Sequence, residues 1–184
     1  DPNTAVQFTG GLAGFRAQIP DTPKLRPDSA GDTSLSIEAW LYPDATVGNF
    51  DSPVLKTTSG SWNDGYGLYY KDGQIHFFLN NYATQTVAGA LPLNRWSHVV
   101  ATFNDTANQM SLYVDGQKVG EQSFTGSVAH SLAPLKMRWG GRLDEIAIYG
   151  RSLSASEVRS HYLAGTFSSD TNLLTASQLV STVD

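Results

Sequence analysis

The residues that could do acid–base or metal chemistry in this chain are few and scattered. Hydrolysis of a glycosidic bond needs two carboxylates roughly 5–10 Å apart across the scissile bond. Asp144 and Glu145 are adjacent, so on a strand they point to opposite faces. Glu38 stands beside Trp40 with no acidic residue two positions away, and it reads as a satisfied or solvated strand residue. The four histidines, His76, His98, His130 and His161, lack the spacing of a zinc site, and His98 reads as a structural strand residue. No G-x-S-x-G nucleophile elbow occurs, since Gly60-Ser61-Trp62 lacks the second glycine. Without cysteine there is no thiolate ligand, thiol nucleophile or disulfide framework. Gly10-Gly11 and Gly140-Gly141 do not precede helices, so they are turn glycines rather than phosphate cradles.

Binding chemistry is better represented. Trp62 lies in the polar loop Ser59-Gly60-Ser61-Trp62-Asn63-Asp64-Gly65, where local propensity gives no reason for a tryptophan. Tyr69, His76, Phe78, Asn80 and Tyr82 fall near it in the hairpin register derived below. Sugars dock their apolar faces on aromatic rings while polar groups read the hydroxyls, and this set suits that task. The alternative is that the same face packs under a loop.

These side chains need strands to hold them, and strands dominate the pattern. Leu35–Tyr42 alternates with period two: Leu35, Ile37, Ala39 and Leu41 face one way, and Ser36, Glu38, Trp40 and Tyr42 the other. Asp72-Gly73 and Asp115-Gly116 are hairpin turns, because a two-residue turn needs positive φ at both positions. The first joins Tyr66–Lys71 to Gln74–Asn80, which sets Tyr70 opposite Ile75 and Leu68 opposite Phe77. Tyr66, Leu68, Tyr70, Ile75, Phe77 and Leu79 then share the core face, and Tyr69, His76, Phe78 and Asn80 the reverse. The second joins Gln109–Val114 to Gln117–Gln122. Ala5–Phe8 and Phe15–Ile19 read as a first pair around Thr9-Gly10-Gly11, and Trp96–Phe103 as a central strand. Leu135–Trp139 and Arg142–Tyr149 supply the last two. One helix is predicted near Ser154–Leu163. Ser154 and Glu157 have capping-box spacing, Val158 and Tyr162 share a face, and Gly165 is the stop. The fold class is all-β: a two-sheet antiparallel β-sandwich with one short C-terminal helix.

Composition narrows the partners. Of 184 residues, 40% are hydrophobic and 16% charged, which suits one globular β domain over residues 1–165. Residues 166–184 form a Ser/Thr-rich tail, a linker or an edge element. The net charge of −5, with no basic block, argues against nucleic acid. No apolar run approaches the ~20 residues of a membrane span. The chain starts at Asp1 with no basic and apolar leader, as a processed protein or an excised module of a larger multidomain chain would.

The motif order resembles a laminin G-like domain of the concanavalin A-like jelly-roll superfamily, in its bacterial and pentraxin-related branch. The residues that carry it are Ser36–Pro43, Asp72–Phe77, Arg95–Thr102, Leu112–Gly116 and Gly141–Tyr149, followed by Leu153-Ser154 and the closing helix. Similar domains often hold one Ca²⁺ at the sandwich rim. The resemblance puts Asp144 and the carbonyls of the Gly10-Gly11 turn at that site, with Asp32 as a further ligand. The ion is hard, takes six to eight oxygens and accepts backbone carbonyls. A carboxylate alternating with Ile146 and Ile148 would need such a partner, or else Arg142, Arg16 or backbone amides. The fold hosts lectins, enzymes, adhesion modules and spacers. The missing carboxylate pair and lyase strands make the leading reading a non-catalytic module, extracellular or on a cell or virion surface, that recognises a glycan or a cell-surface protein. Two rivals stand beside it. Gln74-Ile75-His76 spells the signature of jelly-roll alginate lyases, but their arginine strand and late tyrosine strand are missing. A ligand-free spacer of an adhesin or phage tail protein is the other.

Overall fold

The computed structural model describes residues 5–8, 17–26, 33–58, 60–129 and 131–169. Within them, two antiparallel sheets of six strands pack face to face, and one helix lies on the outer surface of the first. That sheet has the order β1 (Val6–Phe8), β12 (Gly141–Tyr149), β3 (Leu35–Pro43), β8 (Ser97–Asn104), β9 (Gln109–Val114), β10 (Gln117–Ser123). The second runs β2 (Ala17–Ile19), β11 (Leu135–Arg138), β4 (Ser52–Lys56), β5 (Tyr66–Lys71), β6 (Gln74–Leu79), β7 (Thr86–Ala90).

The core forms where the alternation places it. Leu35, Ile37, Ala39 and Leu41 of β3 meet Leu68, Ile75, Phe77 and their row-mates in one buried cluster. Both Asp-Gly turns adopt positive φ at each residue, and Tyr70 pairs with Ile75 and Leu68 with Phe77 as the turn chemistry requires. At the closed side β7 and β10 approach so tightly that a Cβ on Gly89 would lie 2.3 Å from Val119. That approach is why β7 (T-V-A-G-A) is poor in the bulky residues that announce a strand.

Four expectations are corrected. Residues 5–8 and 15–19 do not pair with each other: β1 adds to β12 in one sheet and β2 to β11 in the other. Each short segment completes an edge already available, so the chain crosses between sheets instead of closing a hairpin. Strands β4 and β7 have no counterpart in the periodicity reading. In β4 the signal is hidden by Pro53, whose missing N–H falls at an irregularity of the β4–β11 ladder, where a proline is tolerated. The helix α1 spans Ala155–Ser169 and does not stop at Gly165. That glycine is instead a close-approach residue, since a Cβ there would lie 2.5 Å from the Trp40 ring. Asp144 does not share a row with Ile146 and Ile148. A bulge between Asp144 and Ala147, with Glu145 at φ 48°, sets Asp144 opposite Trp40, while both isoleucines pack toward the core.

The helix starts as its cap dictates. Glu157 N–H donates to Ser154 Oγ at 3.3 Å, and Ser154 N–H donates to Glu157 Oε2 at 2.8 Å. A second polar lock ties the N-terminal segment down. Lys56 is 1% exposed, and its Nζ donates to Asp21 Oδ1 at 2.7 Å and to the carbonyls of Ser131 and Ala133 at 2.6 Å each. All three ammonium donors are spent inside the protein.

Candidate functional site

Two polar or aromatic groupings lie on the outer faces of the sandwich. On the second sheet, alternation along β5 and β6 sends Tyr69, His76 and Phe78 outward. Loops bring Phe50 at φ 68° and Trp62 at φ 49° over them, left-handed conformations unusual for bulky residues. The Trp62 ring stacks on Phe78 at 5.7 Å and 10°, Phe50 on Tyr69 at 5.8 Å and 17°, and Tyr69 on His76 at 4.6 Å and 13°. Tyr82 meets Trp62 edge-on at 5.4 Å, and its carbonyl accepts from the Tyr69 hydroxyl at 3.2 Å. Tyr69 and Phe78 are buried, whereas Phe50, Trp62, His76 and Tyr82 keep part of their surface in solvent. Burial pushes the His76 imidazole below its ordinary value, so it is neutral at physiological pH. Lys71 Nζ lies 5.9 Å from the Phe50 ring centre and puts one cation at the patch edge.

Of the five candidate ligand-binding residues, Trp62, Tyr69, His76 and Phe78 converge. Asn80 does not join them. At φ 55° it donates through Nδ2 to the Ser127 carbonyl at 3.1 Å and accepts the Ala129 N–H at 2.6 Å, so its amide is a strut for the 127–129 loop. Phe50 is the ring that sequence reading passed over. Its signal matched that of Trp62: a large aromatic in a Gly-Asn-Phe-Asp turn.

On the first sheet a carboxylate is the hub. Glu38 Oε1 accepts from His98 Nε2 at 2.7 Å, Oε2 accepts from the Tyr149 hydroxyl at 2.7 Å, and His161 Nδ1 lies 3.1 Å from both oxygens. Burial alone would raise this carboxyl. The bonds from His98, Tyr149 and His161 outweigh it and hold the group at about 2. An ionised carboxylate can only accept, so His98 Nε2 and His161 Nδ1 both carry protons. The cluster fastens α1, through His161, to β3, β8 and β12, and a cleft of about 490 Å³ opens beside it. Tyr162 adds to the seam by stacking on Trp40 at 6.1 Å.

Among the calcium candidates, Gly10, Gly11 and Asp32 lie outside the described residues. Asp144 is half-buried at the rim, and its Oδ1 accepts the Glu145 N–H at 2.9 Å. Arg142 does not pair with it, because the guanidinium sits 4.9 Å over the Tyr42 ring. Among the described residues no group of three or more His, Asp or Glu could hold a metal ion. No helix there is long and apolar enough to cross a membrane.

The family model Laminin_G_3, described as the concanavalin A-like lectin/glucanases superfamily, matches residues 16–159. The chain belongs to this superfamily. As a concanavalin A-like domain it has the two-sheet sandwich that its strand order displays. No curated protein matches it. Similar solved structures include the binding domain of Paraclostridial Mosquitocidal Protein 1, at 20% identity and a TM-score of 0.56 over 72% of this chain and 37% of that one. The binding domain of botulinum neurotoxin DC in complex with SialylT aligns at 13% identity and 0.58, over 71% of this chain and 35% of that one. The same neurotoxin domain in complex with rat synaptotagmin II aligns at 15% and 0.59, with 71% and 35% covered. This concanavalin A-like chain thus spans about a third of the length of those solved chains.

Proposed function

We propose that the chain is a non-catalytic binding module that recognises carbohydrate through the aromatic patch on its second sheet, as part of a larger protein that is secreted or displayed on a surface. The observation that carries this reading is Trp62, held in a left-handed loop conformation, stacked on Phe78 and still partly in solvent. A ring fixed from behind with one side left wet costs little entropy on binding and suits the apolar face of a sugar. The comparisons support a binding role, since one similar domain was solved both with SialylT and with a protein, rat synaptotagmin II. Glu38 and Glu145 both line the cleft beside α1, but Glu38 already accepts from His98, Tyr149 and His161, which favours binding over hydrolysis. On a glycan array, Trp62→Ala is expected to weaken the strongest interaction by about 1–3 kcal/mol, as aromatic anchors do. The melting temperature should fall only by a few degrees, because Tyr69 and Phe78 keep their other neighbours. Unchanged binding with a large loss of stability would mark Trp62 as packing alone.

We also propose a structural Ca²⁺ at the rim, with Asp144 as the carboxylate ligand and the Gly10-Gly11 turn and Asp32 as partners. Supporting it is a half-buried carboxylate whose nearest arginine in sequence, Arg142, is committed to Tyr42. An ion that binds only the folded state adds about 2.7 kcal/mol at a hundredfold excess over its Kd. EDTA should therefore lower the melting temperature by roughly 5–10 °C, and Ca²⁺ should restore it better than Mg²⁺. Asp144→Asn should erase the difference. A calcium-loaded protein that melts identically with and without EDTA would rule out the stabilising role.

A further inference from the structure

Phe50 and Trp62 share an unusual backbone. Both carry a bulky side chain at positive φ, 68° and 49°, where Cβ crowds the following carbonyl oxygen. A residue stays in that region only when its surroundings over-determine it, and such residues gather at ligand clamps. The two rings are neighbours, 6.0 Å apart and edge-on at 74°, and both keep part of their surface in solvent.

Phe50 is held from behind. Its N–H donates to the Tyr70 carbonyl at 2.7 Å, and its own carbonyl accepts from Arg138 Nη2 at 2.8 Å and from Ser52 Oγ at 3.1 Å. Arg138 stands on β11, across from Ser52 on β4. Its Nε faces Asp51 Oδ1 at 3.1 Å, and Asp51 is 1% exposed. That oxygen makes no hydrogen bond, so the guanidinium charge is what compensates it. The other oxygen, Oδ2, accepts the Gly48 N–H at 3.0 Å, and the Asp51 N–H returns to the Gly48 carbonyl at 3.0 Å. One arginine thus fixes the 48–51 turn twice, through a carbonyl and through a buried charge. Asn49 anchors the far side by exchanging two hydrogen bonds with Asp72, at 2.9 and 3.0 Å.

A turn selected for stability alone would carry glycine or asparagine at its left-handed position. Phenylalanine there supplies a ring, stacked on Tyr69 at 5.8 Å and edge-on to Tyr82 at 5.9 Å. We propose that Phe50 is the second wall of the sugar platform, beside Trp62, and that Arg138 is the residue that positions it. The proposal rests on the aromatic reading above and adds a contact residue and its support to it. A ring preset in this way loses little freedom when a ligand arrives.

The test titrates the ¹³C,¹⁵N-labelled full chain with the methyl glycosides of glucose, galactose, mannose and N-acetylglucosamine at millimolar concentration, read at the Trp62 indole N–H. The glycoside that binds tightest there should bind Phe50→Ala at least about fivefold more weakly. Arg138→Met keeps the side-chain stem and removes the guanidinium. In the free protein it should erase the ring NOEs between Phe50 and Tyr69. It should weaken the same glycoside severalfold, yet add nothing to the loss in Phe50→Ala. An arginine that only stabilised the fold would lower the melting temperature and leave those NOEs and the affinity in place. Arg138→Met strands the Asp51 charge, so Arg138→Met with Asp51→Asn removes both charges together and serves if the single variant folds poorly. Parent-like binding by Phe50→Ala or by the folded arginine variant would overturn the proposal. So would intact Phe50–Tyr69 NOEs, or an equal loss from Arg138→Met with and without the Phe50 ring. Each of those results leaves the parent's Trp62 shifts standing, and with them the aromatic reading. No shift of the Trp62 indole by any glycoside would remove that reading and this proposal together.

Discussion

Lys56→Met is expected to destabilise the domain by about 3 kcal/mol, seen as a melting temperature lower by ~6–12 °C. Methionine matches the length of the lysine stem and keeps most of its apolar contacts, so the loss comes from the ammonium. In the parent that group is 1% exposed and satisfies the Ser131 and Ala133 carbonyls at 2.6 Å each. Neither carbonyl gains a donor when a thioether takes its place, and an orphaned buried acceptor costs about 1–3 kcal/mol. Asp21 is cushioned. The Arg26 guanidinium, and after it the Lys56 ammonium, hold its carboxyl down at about 2, and Arg26 stays in place in the variant. The lock joins β4 to residue 21 on one side and to the 131–133 turn on the other, so the variant should also raise hydrogen exchange in both segments. A thermal melt that matches the parent's would show that the ammonium is replaceable by apolar packing, as some buried ion pairs are.

That lock also shows where sequence reading reached and where it stopped. The Asp-Gly turns state their own geometry, because positive φ at both positions selects residue types, and the register of β5 on β6 followed to the residue. The Ser154–Glu157 cap is equally local. Trp62 was legible because a tryptophan in a Gly/Ser/Asn loop needs a reason. Features set by distant partners were not. Lys56 drew no reading from the sequence, and its acceptors lie 35, 75 and 77 residues away. Asn80 looked like a reader of ligand hydroxyls, yet its partners are 47 and 49 residues on. The bulge at Asp144 is invisible for a different reason. The run D-E-I-A-I alternates well enough to be read straight, and only pairing with β3 shows that two residues oppose one. Glu38 was legible as an outward-facing residue but not as a hub, since His161 arrives from a helix 123 residues later.

Glu38→Gln is expected to loosen α1 from the sheet and to remove an acid-sensitive part of the protein's stability. The group sits at about 2 in the folded state against 4.5 for the free side chain. A depressed carboxyl contributes stability that is fully present above the unfolded value and is lost as the pH falls through the folded one. The window therefore runs from about pH 4.5 down to about 2. His161, 38% exposed, opens the cluster to solvent screening, so the contribution is on the order of 2 kcal/mol rather than the full shift. Asp21 and Glu157 are also held at about 2, chiefly by Arg26 and Arg151, and they titrate in the same window. The parent's acid denaturation is thus a sum, and the difference between parent and variant isolates Glu38. At neutral pH the glutamine amide offers one acceptor where His98, Tyr149 and His161 each bring a donor, and its NH₂ group faces one of those donors. The conflict falls at the seam where Tyr162 stacks on Trp40, so tryptophan emission should shift red together with the loss of stability. Urea midpoints measured from pH 7 to pH 2 decide the matter. The parent should hold steady to about pH 4.5 and then fall, while the variant starts lower and falls less. Parallel curves for the two proteins would mean that the charge on Glu38 does not hold the helix down.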